Sequence, residues 1–153
     1  MSSYIEKIKK KTFPQDFEAR ENAKKRLDQL AIPPWALGEL MDLGIDLAGM
    51  TSSIKPNVKR KVVVTMAGDH GVTEEGVSKF PSEVTPQMVS NFVNGGAGIN
   101  ALARQAGADV VVVDMGVNAD LKELADQGKI INKKVGLGTA NIAKGPAMSR
   151  AMA

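Results

Sequence analysis

Apolar residues recur at helical spacing through the first fifty positions and then gather into short β-branched runs. After a short basic lead, residues 14–30 read as a first helix, with Asp16 as a candidate N-cap and Phe17, Leu27 and Leu30 as apolar contacts. Pro33 and Pro34 stop it. Over residues 37–48 the carboxylates Glu39, Asp42 and Asp46 fall at steps of three and four among Leu37, Leu40, Met41, Leu47 and Ala48, which predicts an amphipathic helix. The Thr-, Ser-, Pro- and Asn-rich stretch 51–58 is a connector.

From Lys61 to Ala67 the pattern changes to Val-Val-Val-Thr-Met, an unalternating run of strand length, as in a strand covered on both faces. Gly68-Asp69-His70-Gly71 turns out of it, and a polar loop runs to about Val84. Thr85 offers a side-chain oxygen as N-cap and Pro86 a pre-set φ, so a helix is predicted from here to about Gln105. Asp109–Val113 repeats the buried-strand pattern, Ile130 and Ile131 begin a third strand, and residues 145–153 read as the start of another helix. Strand, long crossover, strand implies parallel pairing in a right-handed βαβ unit. The predicted class is therefore α/β: a Rossmann-like α/β/α core on a parallel sheet, spanning 59–153 and preceded by a helical segment, 1–58. Sheets of this class usually hold about five or six strands, so two or three mark this core as incomplete.

Composition removes several classes of function. With 43% hydrophobic and 24% charged residues among 153, the chain can bury a core without a metal or disulfide. It has no cysteine, hence no disulfide framework, thiol nucleophile or thiolate metal site, which suits a reducing cytoplasm. No apolar run approaches the roughly 20 residues of a membrane span. The net charge of +3 is modest and its basic residues are interspersed with carboxylates, so nucleic acid is not an expected partner, and Lys9–Lys11 read as a solvated helix face.

Ligands of parallel α/β sheets sit beyond the carboxyl ends of the strands, which directs attention to the loops after Ala67 and Val113. The first carries Asp69 and the one histidine, His70; they either satisfy backbone groups of the turn or face a ligand. A single histidine with scattered carboxylates does not make a zinc site, and no metal or cofactor is expected. Asp69, His70 and Ser78 could in principle form a triad, but no Gly-x-Ser-x-Gly elbow supports it. Gly136-Leu137-Gly138-Thr139-Ala140-Asn141 lacks the third glycine of a dinucleotide fingerprint, and is either an ordinary turn or an anion nest. Glycines 95, 96 and 98 each cost a helix interior about 1 kcal/mol against alanine, which close packing would have to offset. Phe80, Val84, Met88 and Phe92 form an apolar stripe, either core or the lining of a slot.

Longer strings carry a resemblance. Ala67-Gly68-Asp69-His70-Gly71-Val72, Val84-Thr85-Pro86-Gln87-Met88-Val89, Asn94-Gly95-Gly96-Ala97-Gly98-Ile99-Asn100, Asp114-Met115-Gly116-Val117 and Gly145-Pro146-Ala147-Met148-Ser149-Arg150 resemble the nicotinate-nucleotide–dimethylbenzimidazole phosphoribosyltransferase family. The likeness covers nearly the whole chain and corresponds to the N-terminal half of that family. It implies transfer of a phosphoribosyl group from nicotinate mononucleotide to 5,6-dimethylbenzimidazole or a related aromatic base, giving an α-ribazole phosphate for the lower ligand of cobalamin. It implies substrate-binding roles for Asp69, His70, Val77, Phe80, Val84, Met88, Gly136, Gly138 and Asn141. No catalytic residue is expected here, because the family's general-base glutamate belongs to its other half. The chain should then be inactive alone, and either a homodimer or paired with a C-terminal half; the alternative is a non-catalytic base-binding subunit that completes a partner's active site. The sequence departs from the pattern at Trp35-Ala36, where the family often has Gly-Ser, and some members carry Ser and Gln where Phe80 and Met88 stand.

Overall fold

The computed structural model describes residues 2–153. They form two compact units, divided between Lys59 and Arg60.

The first unit is helical. The basic lead forms a helix of its own, α1 (Ser2–Lys11), and Lys9–Lys11, read from the sequence as a solvated helix face, lie exposed in its last turn. Asp16 caps α2 (Phe17–Leu27): its carboxylate accepts the Ala19 N–H at 3.0 Å, satisfying one of the free donors of the first turn. That bond holds the Asp16 carboxyl below its ordinary range. In α3 (Glu39–Thr51) the buried stripe is Met41, Ile45, Ala48 and Gly49. Ile45 and Ala48 meet Ala23 of α2, with Leu27 beside them. Gly49 is small because Arg20 crosses it: an added Cβ would stand 2.7 Å from Arg20 Cγ. The Arg20 guanidinium lies there to pair with Asp46.

The second unit is a three-stranded parallel sheet, ordered β1 (Lys61–Gly68), β2 (Ala108–Gly116) and β3 (Ile131–Asn132). Register runs from Lys61↔Ala108 to Ala67↔Asp114, and Val113 faces Ile131. Strand alternation then divides the valines between two faces. On one face Val112 meets Val89 of α4 (Val84–Val93), Val117 and Ile130, with Ala67 and Phe92 around them. Leu124 of α6 (Lys122–Asp126) joins the same cluster. On the other face Val62, Val64 and Met66 are 50%, 52% and 69% exposed, with Met115 and Ile131 also exposed. The expectation that the first strand is covered on both faces is thus corrected: its composition is that of a doubly covered strand, but these residues supply a cover on one side only.

The predicted helix from Thr85 to Gln105 is two helices, α4 and α5 (Gly98–Ala106). Gly95 adopts φ +76°, a left-handed conformation closed to a helix interior and free for glycine. Buried Asn100 locks the corner: its amide oxygen accepts the Ala97 N–H at 3.1 Å and its amide nitrogen donates to the Phe92 carbonyl at 3.0 Å. Gly95 is therefore explained by a turn and Gly96 by close packing, since an added Cβ there would collide with the Asn91 side chain, whereas a Cβ at Gly98 would meet nothing within 4 Å. Glu83, and not Thr85, is the N-cap of α4, because Val84 and Thr85 already donate to the Pro81 and Ser82 carbonyls in a lead-in turn. Residues 145–153, expected to begin a helix, form turns. Among the described residues no helix is long and apolar enough to cross a membrane.

Candidate functional site

The chain leaves β1 at Gly68 directly into Asp69, a carboxylate only 7% exposed. A buried carboxylate must be hydrogen-bonded, and this one is, at both oxygens. Thr85 Oγ1 donates to Oδ1 at 2.6 Å and the Asn118 N–H donates to Oδ2 at 2.7 Å. The backbone of Asp69 is tied as well, its N–H donating to the Gly116 carbonyl and its carbonyl accepting from Thr139, both at 3.0 Å. One residue thus joins the exits of β1 and β2, the first turn of α4 and the glycine-rich loop at 136–141.

A second buried carboxylate holds the β2 exit. Asp114, 1% exposed, accepts the N–H groups of Gly116 at 3.1 Å and Val117 at 2.9 Å through Oδ1, while its Oδ2 lies 3.2 Å from Lys134 Nζ. Lys134 also donates to the carbonyls of Val117 and Ala119, so the ammonium is enclosed by acceptors from the loop that carries Asn118.

The glycine-rich loop lies against the β1 exit. His70 and Thr139 form a parallel bridge, and Gly71 donates to the Thr139 carbonyl at 3.0 Å. Thr139 and Ala140 spend their N–H groups on the carbonyls of Asp69 and Ala147, which withdraws both from an anion nest. Gly138 takes φ +81°, and a Cβ there would stand 3.2 Å from the Asp69 carbonyl oxygen; glycine lets the loop lie that close.

Two adjoining cavities open at this end of the sheet. The more apolar one, about 380 Å³, is lined by Phe80, Val84, Met88 and Phe92 on one side and by Met66, Asp69 and His70 at the strand exit. Its size lies within the roughly 300–1,000 Å³ of small-molecule sites. The more polar one, about 640 Å³, is lined by Asp69, His70, Glu74, Lys79, Glu83 and Thr139, among others. Phe80, 68% exposed, lines both. Ser78 fixes its backbone, with Oγ accepting the Phe80 N–H and donating to the Phe80 carbonyl.

Of the residues singled out in the sequence, Asp69, His70, Phe80, Val84 and Met88 come together around the apolar cavity, and Gly138 lines the polar one. Val77 and Gly136 line neither. Asn141 is engaged elsewhere, its amide donating to Glu75 at 2.7 Å and Glu74 at 3.4 Å. The Asp69–His70–Ser78 triad is not assembled: the carboxylate serves Thr85 and Asn118, His70 Nδ1 lies 3.3 Å from Thr139 Oγ1, and Ser78 bonds Phe80. Sequence reasoning missed Thr85 as the partner of Asp69, and Asn118 and Lys134 altogether; only the placement of Asn118 beyond a strand end was a signal for it.

At the rim, Lys144 Nζ donates to Glu74 at 2.7 Å. That bond holds the Glu74 carboxyl below its ordinary range, and Glu74 in turn raises Lys144. A lowered acid stabilises above its unfolded value until pH falls through the folded one, and a raised base below its unfolded value until pH rises through the folded one. The contact between the loop at 141–144 and the turn Gly71–Glu75 should therefore persist from mildly acid to strongly alkaline pH. In an NMR titration Glu74 is expected to titrate lower than in Lys144→Met, and identical midpoints would show that the pair does not form in solution.

A family model described as Phosphoribosyltransferase matches residues 13–153. The chain is 67% identical over 151 residues to the nicotinate-nucleotide–dimethylbenzimidazole phosphoribosyltransferase of Desulfotalea psychrophila, covering 99% of this chain and 42% of that protein. It is 59% identical over 140 residues to the enzyme of the same name from Syntrophotalea carbinolica, covering 92% and 40%. Among solved structures it is similar to the nicotinate-nucleotide–dimethylbenzimidazole phosphoribosyltransferase of Thermus thermophilus, with a TM-score of 0.79 at 46% identity over 90% of this chain and 41% of that one. The chain thus spans about two fifths of the length of these relatives.

Proposed function

The chain belongs to the nicotinate-nucleotide–dimethylbenzimidazole phosphoribosyltransferase family, and from that premise we propose that it supplies the base-binding wall of a site that moves phosphoribose from nicotinate mononucleotide to 5,6-dimethylbenzimidazole or a related aromatic base. The observation that carries this reading is the apolar cavity at the strand exits, where Phe80, Val84 and Met88 offer a flat ring a hydrophobic wall.

In the proposed reaction an unprotonated ring nitrogen of the base attacks the anomeric carbon. The new C–N bond forms as the bond to nicotinate breaks, and its electron pair returns to the pyridinium nitrogen, which leaves neutral. The proton on the other ring nitrogen then passes to a general base. Holding the reactants in line does much of the work, and an apolar wall keeps out water that would hydrolyse the nucleotide. With an aromatic ring and a thioether at 80 and 88, discrimination between bases rests on shape rather than on hydrogen bonds.

The proton acceptor comes from outside this chain. Asp69 is the one carboxylate lining the apolar cavity, and both its oxygens are occupied. A glutamate from a complementing C-terminal segment would act as the base, and the bare face of the sheet at Val62, Val64 and Met66 supports such a pairing, since parallel sheets are normally covered on both faces.

Incubated with nicotinate mononucleotide and dimethylbenzimidazole, the chain alone should form no α-ribazole phosphate, and addition of the C-terminal part of a relative should restore turnover. General-base catalysis contributes about 10²–10⁴-fold, so a rate from the chain alone equal to that of the completed pair would refute the reading. In the pair, Phe80→Ala and Met88→Ala should alter the preference among aromatic bases; an unchanged preference would remove the wall from Phe80 and Met88.

A further inference from the structure

We propose that Asp69 is a positioning residue that never touches the base: through Thr85 and Asn118 it sets how far α4 stands from the strand exits, and so the width of the aromatic slot. This rests on the base-binding reading above. Three observations carry it. Both carboxylate oxygens are committed, at 2.6 Å to the Thr85 hydroxyl and at 2.7 Å to the Asn118 N–H. Thr85 sits in the first turn of α4 between Val84 and Met88, which line the cavity wall, yet its hydroxyl does not cap the helix and is engaged by Asp69 instead. The far anchor is itself braced: Asn118 lies on the loop that Asp114 holds by the Gly116 and Val117 N–H groups and that Lys134 spans from Val117 to Ala119. A buried carboxylate that loses one charge-assisted donor is left with an uncompensated desolvation cost, and here that donor stands on the helix forming the wall.

The test is calorimetric titration of the 153-residue chain with 5,6-dimethylbenzimidazole and with the smaller unsubstituted benzimidazole. Thr85→Val keeps the shape and removes the donor, and Thr85→Ser keeps the donor. Thr85→Val should change the ratio of the two affinities by about fivefold or more, on the order of 1 kcal/mol, and Thr85→Ser should restore the wild-type ratio. Asp69→Asn should change the ratio in its own right, and the double variant with Thr85→Val should fall short of the product of the single effects, as coupled neighbours do. If Thr85→Val does not fold, as judged by circular dichroism, Asp69→Asn and Thr85→Ser decide alone. Equal loss for both bases, or no change, would show a merely structural contact and overturn the proposal while leaving the base-binding reading intact. Failure of the unaltered chain to bind either base would overturn both.

Discussion

Asp114→Ala is expected to destabilise the protein by about 3–5 kcal/mol, the usual cost of removing one partner from a buried ion pair. The side chain of Lys134 is 19% exposed and that of Asp114 2%, so little solvent is present to compensate the ammonium left behind. The Gly116 and Val117 N–H groups lose their acceptor in the same step. Chemical denaturation followed by circular dichroism measures the loss, and an unchanged midpoint would mean that the pair is open to water. The loop 116–119 should loosen with it, and because Asn118 anchors Asp69, base binding should weaken beyond what instability alone explains.

The second large effect is expected at Gly71. A Cβ there would stand 2.7 Å from the Asn141 backbone nitrogen, 2.8 Å from the Thr139 carbonyl oxygen and 2.9 Å from the Ala140 carbonyl carbon. These are backbone atoms, and no side-chain rotation relieves them. Gly71→Ala should therefore push the glycine-rich loop off the β1 exit, cost about 1–3 kcal/mol as an overpacked site does, and break the bridge between His70 and Thr139. Gly145→Ala is the control: a Cβ there meets nothing within 4 Å and its φ is not left-handed, so it should stay within about 0.5 kcal/mol of the parent. Equal stability of the two variants would contradict the placement of the loop.

How far the sequence discloses this arrangement depends on the range of each signal. The Asp16 cap is legible because its partner, Ala19, is three residues away, and the parallel pairing because unalternating valines on either side of a long crossover leave few other topologies. The third strand, placed from Ile130 and Ile131, is found at Ile131–Asn132. The helix break at Asn94–Ala97 is written in glycines 95, 96 and 98, yet each glycine alone reads as tolerated within a helix; the lock, Asn100, looks like any polar helix residue until its bonds to Ala97 and Phe92 are seen. Thr85 and Pro86 carry a strong capping signature, yet the helix begins before them, because Val84 and Thr85 already donate to the Pro81 and Ser82 carbonyls, and the Thr85 hydroxyl donates to Asp69. Asp69, Asn118 and Lys134 lie too far apart in the chain for any local pattern to join them. The exposure of Val62, Val64 and Met66 is likewise illegible locally, since whether a strand face is covered depends on segments distant from it and not on its own run of valines.

The most direct test of a base-binding wall at the strand exits is an NMR titration of the chain with 5,6-dimethylbenzimidazole. Saturable shifts are predicted at the Val84 and Met88 methyl groups and the Phe80 ring, with smaller ones at His70 and Thr139, and none in the helical unit before Arg60. Shifts confined to other surfaces, or none at saturating base, would contradict it.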